Sequence, residues 1–420
     1  MKKKLTLPAQ ILIALILGVA VGLICSFTGT ANLTTTLLKP FGDIFVNLLK
    51  FIVVPVVLLS MIEGILSMGN MRQVGSIGWK TMLYFTCTTA VACVIALTLA
   101  TAFNNAGLFP VLEPESSYEP AAFEGFMNVL VNIFPTNLWK SFVEANMLQV
   151  IVISLMFGGA ILAAGEKGQP CRELVSSMYA VVDKLMGFII KLSPIGVFTY
   201  MAWVVSTQGA EILGSLALVL LCAYIGYALH ALIVYSTAVK LVAGISPAAF
   251  FKGAAAAMMF GFTSTSSAAT LPVSKECAEN MGADKDVAAF VLPLGATINM
   301  DGTAIYQCVT AVFLATCVGM HLTLAQMITI VVTATLASVG TAGTPGSGLI
   351  MLTMVLSALQ IPVHYIGLIL AVDRLVDMGR TCMNITGDIS CTLCVTSWQR
   401  RLDSRRVKRS ARKMSPVSAE

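Results

Sequence analysis

Charge is scarce in this sequence: Asp, Glu, Lys and Arg make up 11% of its 420 residues, under half of the roughly one quarter carried by soluble domains. So few charges cannot cover a water-facing surface, and with 57% hydrophobic residues the chain reads as an integral membrane protein. The same scarcity excludes intrinsic disorder and a nucleic-acid-binding module, both of which need dense charge. Strand-length segments of about 10 residues with alternating polarity are missing too, which excludes a transmembrane β-barrel in favour of helical spans. Histidines number only three, and His230, His321 and His364 share no spacing suited to a metal, so they read as core or interfacial packing. The 11 cysteines are scattered, with Cys25, Cys87, Cys93 and Cys222 inside apolar blocks, so no disulfide framework is implied. Cys391 and Cys394 form a C-x-x-C, but partners for a redox or zinc role are lacking.

Apolar blocks place spans near residues 9–27, 42–68, 78–108, 146–165, 175–206 and 212–243. The first follows a basic start but no small-residue cleavage pattern, so it reads as a span rather than a signal peptide. Lys2, Lys3 and Lys4 open the chain, and Arg400, Arg401, Arg405, Arg406, Lys408, Arg409, Arg412 and Lys413 lie at its other end. The positive-inside rule then expects both termini on the cytoplasmic side and an even number of crossings. Residues 109–137 carry four prolines and Glu113, Glu115, Glu119 and Glu124 without a single Lys or Arg, which suits an external loop. The connections around Arg72 and Lys80, and around Lys240 and Lys252, are basic and suit the inner side.

After residue 245 the apolar stretches shorten and break in the middle. Two of these interruptions are alike in being small and polar, namely Thr263-Ser264-Thr265-Ser266-Ser267-Ala268-Ala269-Thr270-Leu271-Pro272 and Gly340-Thr341-Ala342-Gly343-Thr344-Pro345-Gly346-Ser347-Gly348. Their apolar flanks of roughly 13 to 18 residues are short for a bilayer core of about 30 Å. Re-entrant hairpins near 246–281 and 323–361 are the natural solution, with their tips lining a cavity, because backbone that leaves the helix at membrane depth needs protein or water to satisfy it.

The last apolar block, 366–394, contains Asp373, Arg374, Asp377, Arg380, Thr381, Asn384 and Asp388. Charge at membrane depth marks an ion or substrate pathway by default. At about 100° per residue, positions 373, 377, 380, 381, 384 and 388 form one stripe roughly 100° wide, which predicts a helix face turned to a protein-lined site. Upstream, Leu294 to Thr303 sets Asn299 and Asp301 between Gly295 and Gly302 in an apolar helix, where the glycines are expected to release carbonyls for a hard cation. Asp301, Asp373, Asp377 and Asp388 stand against only Arg374 and Arg380, and the uncompensated charge predicts bound Na⁺ or H⁺. Arg380 offers a bidentate fork for a carboxylate and Asp377 an acceptor for an ammonium, which together describe an acidic zwitterion as substrate.

At Ser266-Ser267-Ala268-Ala269-Thr270-Leu271-Pro272, Asn299-Met300-Asp301-Gly302-Thr303, Gly340-Thr341-Ala342-Gly343-Thr344-Pro345-Gly346 and Asp377-Met378-Gly379-Arg380-Thr381 the sequence closely resembles the dicarboxylate/amino acid:cation symporters, the glutamate and aspartate transporter family. The resemblance implies an all-α polytopic membrane protein with eight transmembrane helices and two re-entrant hairpins, assembled as a homotrimer, and the short loops suit a bacterial or archaeal inner membrane. Residues 1–245 would be mainly a trimerisation scaffold. The third and sixth spans, about 78–108 and 212–243, would join 246–400 in a transport domain that moves like an elevator, with 401–420 a basic cytoplasmic tail.

By position in those motifs, the resemblance implies that Asp377 binds the substrate amine and Arg380 its side-chain carboxylate. Asn384, Ser266, Ser267 and the second hairpin tip would hold its main-chain carboxylate, Thr303 and Thr381 would complete the pocket, and Thr344 and Gly348 would form its lid. One Na⁺ site would use Gly295, Asn299, Asn384 and Asp388, a second Thr297, Met300, Ser338, Val339 and Thr341, and a third Thr88, Thr89, Asn299 and Asp301. Thr265 and Met378 depart from the pattern, since members that take acidic amino acids commonly carry a second arginine at one of these places. Arg380 still favours aspartate or glutamate, with neutral amino acids, cystine-like compounds or C4-dicarboxylates as alternatives. An anion channel is the rival among pores. An intramembrane protease is disfavoured because no G-x-G-D or G-x-S-G motif lies beside a suitable partner.

Overall fold

The computed structural model describes residues 7–68, 76–111, 131, 134–144, 146–209, 211–338 and 347–414, and every regular element among them is helical. Among the described residues, four helical stretches are long and apolar enough to cross a membrane: 9–27, 77–105, 212–243 and 285–317. A bent pair, 165–190 with 193–207, meets the same length and composition when its two helices are taken together. The expected span over 175–206 is therefore two helices set at 44°, broken at Lys191 and Leu192 just before Pro194, whose ring favours the first turn of a new helix over the interior of an old one.

Helix α1 (Leu7–Phe27) packs along α6 (Ser193–Gln208). Gly18 and Gly22 form a G-x-x-x-G on the contact face. A Cβ on Gly18 would lie 2.7 Å from the Phe198 carbonyl, and one on Gly22 2.8 Å from that of Ala202, so only glycine lets these backbones meet. Helix α2 (Lys39–Met68) packs against α4 (Met147–Ala163) and α5 (Gln169–Ile190). Helix α3 (Ser76–Asn105) lies instead beside α11 (Asp301–Cys317) and α7 (Glu211–His230).

Helix α7 continues without a break through a π-helical turn, Ala231–Tyr235, to Ala243. Helices α8 (Pro247–Ser264) and α9 (Ser267–Asn280) form a helical hairpin. Its reversal takes two residues: Thr265 is left-handed at φ 53°, and Ser266 is extended and caps α9 by accepting from Ala269 N at 3.2 Å. Helices α12 (Leu324–Ser338) and α13 (Ser347–Ala358) flank the second interruption. Val339, Thr341 and Thr344 lie outside the described residues.

Helix α10 (Lys285–Ile298) and α11 do not form the one helix expected over Leu294 to Thr303. The break falls on Asn299 (φ −85°, ψ 99°) and Met300 (φ −123°, ψ 41°), whereas Gly295 and Gly302 are both helical. The glycines serve close approach instead. A Cβ on Gly302 would lie 2.7 Å from Arg380 Cα, and one on Gly295 would strike the Asp388 carboxylate. The last helix, α14 (Ile366–Met414), packs against α3, α6, α7, α8, α9, α10 and α11.

Candidate functional site

The polar stripe of α14 faces inward along its whole length. Asp373, Asp377, Arg380, Thr381, Asn384 and Asp388 are each no more than 7% exposed, which is the arrangement an intramembrane charged stripe requires. The α10–α11 break and the first hairpin meet this face. Gly261 of α8 sits against Ile385, next to Asn384.

Asn384 is held by the break. Its Oδ1 accepts from Gly302 N at 2.8 Å, and its Nδ2 lies 3.1 Å from Met300 Sδ and 3.4 Å from Thr303 Oγ1. Asn299 Nδ2 donates to Asp388 Oδ1 and to the Asn384 carbonyl, both at 2.9 Å. Gly295, Asn299, Asn384 and Asp388 thus come together in one buried cluster. Asn299 Oδ1 is buried there without a hydrogen-bond partner among the described residues. An acceptor left bare next to a carboxylate is a donor set that suits a hard cation.

Asp301, at the first turn of α11, is fully buried. Thr89 Oγ1 donates to its Oδ1 at 2.6 Å, while Tyr235 Oη at 2.8 Å and His230 Nε2 at 3.1 Å reach its Oδ2. His230 is therefore a polar partner of Asp301 rather than the packing residue expected. Its relation to Tyr235 explains the surprise: five residues apart they would diverge on an α-helix, but the intervening π-helical turn puts both on one side, rings 4.7 Å apart. Thr88 does not join this cluster and bonds the Phe85 carbonyl of its own helix at 3.2 Å.

One and two turns above Asn384 on α14 stand Arg380 and Asp377. Arg380 Nε donates to Asp377 Oδ1 at 2.8 Å, with Nη2 2.7 Å from the same oxygen. Thr381 Oγ1 lies 3.5 Å from that oxygen. The guanidinium lies over the Tyr306 ring at 5.5 Å, and Gly348 of α13 is pressed so close to it that a Cβ there would collide with Nη1. Nη1 is buried with no hydrogen-bond partner among the described residues. A buried guanidinium with a bare edge is ready for a carboxylate.

The remaining described residues are placed as follows. Ser266 caps its own helix, and Ser267 is buried at the hairpin turn. Thr297 Oγ1 bonds the Leu294 carbonyl at 2.9 Å, and Ser338 ends α12. Arg374, outside the 100° stripe, joins the site: its Nη1 donates to Asp377 Oδ2 at 3.0 Å. Both oxygens of the expected ammonium acceptor are therefore already engaged by guanidinium groups.

Residues 7–398 of the chain match the sodium:dicarboxylate symporter family. The chain belongs to that family. Relatives in the sodium:dicarboxylate symporter family cover nearly its whole length. It is 32% identical over 404 residues to the proton/sodium-glutamate symport protein of Bacillus subtilis strain 168, spanning 94% of this chain and 93% of the relative. It is 33% identical over 410 residues to the C4-dicarboxylate transport protein of the same strain, spanning 96% of each. It is 31% identical over 416 residues to the proton/glutamate-aspartate symporter of Escherichia coli K12, spanning 96% of this chain and 95% of the relative. The sodium:dicarboxylate symporters are transporters rather than enzymes, and the apolar helices agree with a multi-pass membrane protein.

Proposed function

We propose that this protein is a secondary active symporter that uses inward Na⁺ movement, or H⁺ in its place, to drive uptake of aspartate or glutamate. The observation that carries this reading is Arg380, a buried guanidinium whose Nη1 edge has no protein partner among the described residues. In this reading Arg380 holds the substrate's side-chain carboxylate. Asp377 receives its amine, and Asn384, Ser266, Ser267 and the second hairpin tip, including Thr344, hold the main-chain carboxylate. Thr303 and Thr381 line the pocket and Gly348 closes it.

The coupling cations bind at the Gly295/Asn299/Asn384/Asp388 cluster and near Thr89, Asn299 and Asp301, with a further site at Thr297, Met300, Ser338, Val339 and Thr341. The contacts support this reading for the first set, gathered around Asp388, and in part for the second, where Thr89 donates to Asp301. Elevator movement of α3, α7 and residues 246–400 against a trimeric scaffold of the other helices completes the mechanism we infer. If three Na⁺ enter with one monoanionic substrate, two net charges cross, worth about 4.6 kcal/mol at 100 mV. A tenfold Na⁺ gradient adds about 1.4 kcal/mol per ion, for about 9 kcal/mol in all.

The test is Arg380→Cys in purified protein reconstituted into liposomes. Aspartate and glutamate uptake should vanish while the oligomer elutes unchanged on size exclusion. Unchanged aspartate uptake would remove the assignment. One observation favours a second substrate class, C4-dicarboxylates: Arg374 already occupies the acceptor that an amine would use.

A further inference from the structure

Asp377 is enclosed by two arginines of its own helix. Arg380 takes Oδ1 from one turn below, and Arg374 takes Oδ2 from one turn above, with side-chain exposures of 2% and 14%. Arg374 is thus an internal cation seated where a substrate ammonium would go. It also has somewhere else to go. Asp373, Arg374 and Asp377 line a small cavity with Leu349 of α13 and with Ser193 at the start of α6. In this region Arg374 Nε and Asp373 Oδ1 are buried without hydrogen-bond partners among the described residues. Asp373 itself is 7% exposed. Both groups line the same cavity, so a displaced Arg374 would remain in a region that holds a second buried carboxylate.

We propose that Arg374 is the specificity-determining residue of this site, and that the pocket takes C4-dicarboxylates with Arg374 in place and acidic amino acids only by displacing it. The proposal rests on the symport reading above and deepens it. Aspartate and succinate differ only in the amine. With Arg374 seated on Asp377, the two arginines balance Asp373 and Asp377, and a dicarboxylate meets a neutral pocket with the Arg380 edge free. An incoming ammonium has to replace a charge-assisted hydrogen bond already made, which lowers the apparent affinity for aspartate. Removing Arg374 reverses both effects. Asp377 becomes an open acceptor for the ammonium, while its uncompensated charge repels a second carboxylate.

The experiment uses full-length protein in proteoliposomes, with radiolabelled L-aspartate and succinate, for wild type, Arg374→Ala and Arg374→Lys. In the wild type, succinate should compete with aspartate at a half-inhibitory concentration within about tenfold of the aspartate KM, a difference of one charge-assisted contact. In Arg374→Ala the ratio of succinate KM to aspartate KM should rise by about tenfold or more, whereas Arg374→Lys, which keeps the charge, should hold it within about threefold of wild type. Aspartate uptake in the wild type without inhibition by succinate would overturn the proposal and leave the symport reading standing, and it needs no variant to fold. An active Arg374→Ala with an unchanged ratio would do the same. A wild type that takes up neither compound would overturn the symport reading and this inference with it.

Discussion

Asn299 and Asp388 tie the two ends of the site together: Asn299 Nδ2, in the break between α10 and α11, donates to Asp388 Oδ1 on α14 at 2.9 Å. The bond joins elements 89 residues apart in sequence and leaves Asn299 Oδ1 as a buried acceptor without a partner among the described residues, beside the carboxylate. Such a pair is stable only if something else supplies positive charge, because a buried carboxylate without a counter-charge costs several kcal/mol.

Asp388→Asn removes that charge while keeping the shape. The expected result is a KM for Na⁺ raised by about tenfold or more, the scale of one lost charge-assisted ligand, with the aspartate KM at saturating Na⁺ changed far less. Uptake measured against Na⁺ concentration checks this.

Gly348→Ala places a methyl group where the Arg380 guanidinium lies. The guanidinium must move, so uptake of either acidic substrate should drop by about 10²-fold, the scale of a misplaced binding group. The unfolding temperature should fall as well, because the guanidinium that moves is buried and paired with Asp377.

Gly302→Ala meets backbone rather than a side-chain tip, with its Cβ 2.7 Å from Arg380 Cα. Neither helix can yield locally. Overpacking of this kind costs about 1–3 kcal/mol, so the unfolding temperature in detergent should fall while Gly302→Ser falls at least as far.

Gly18→Leu and Gly22→Leu push α1 away from α6. The α1–α6 contact, rather than the ligand site, is what suffers. Expression and thermal stability should drop by the equivalent of about 1–3 kcal/mol, and the aspartate KM of surviving protein should match the wild type.

The α14 stripe was legible in the sequence because one regular helix carries all six residues and the 3.6-residue period applies throughout. The turn between α8 and α9 was legible through the small polar run at Ser266 and the short apolar flanks. What escaped were the departures from regular helix. Gly295 and Gly302 drew attention as weak points, yet the break fell between them at Asn299 and Met300, whose backbone is fixed by Asn384 and Asp388 from a distant part of the chain. His230 and Tyr235 were hidden because only a π-helical turn aligns them on Asp301. Arg374 lay off the polar stripe by angle, and its long side chain closed the gap to Asp377. Thr88 and Thr89 are neighbours in sequence but point apart, so only Thr89 reaches Asp301.

The most direct test of the central claim is uptake of radiolabelled L-aspartate into proteoliposomes holding the purified protein, under an inward Na⁺ gradient and then with a K⁺ or pH gradient in its place. The account predicts saturable, stereoselective accumulation driven by Na⁺, or by the pH gradient if H⁺ is the coupling ion, and none with K⁺ alone. Equal uptake with no gradient at all, or accumulation that never exceeds equilibrium, would contradict symport at the Arg380 site.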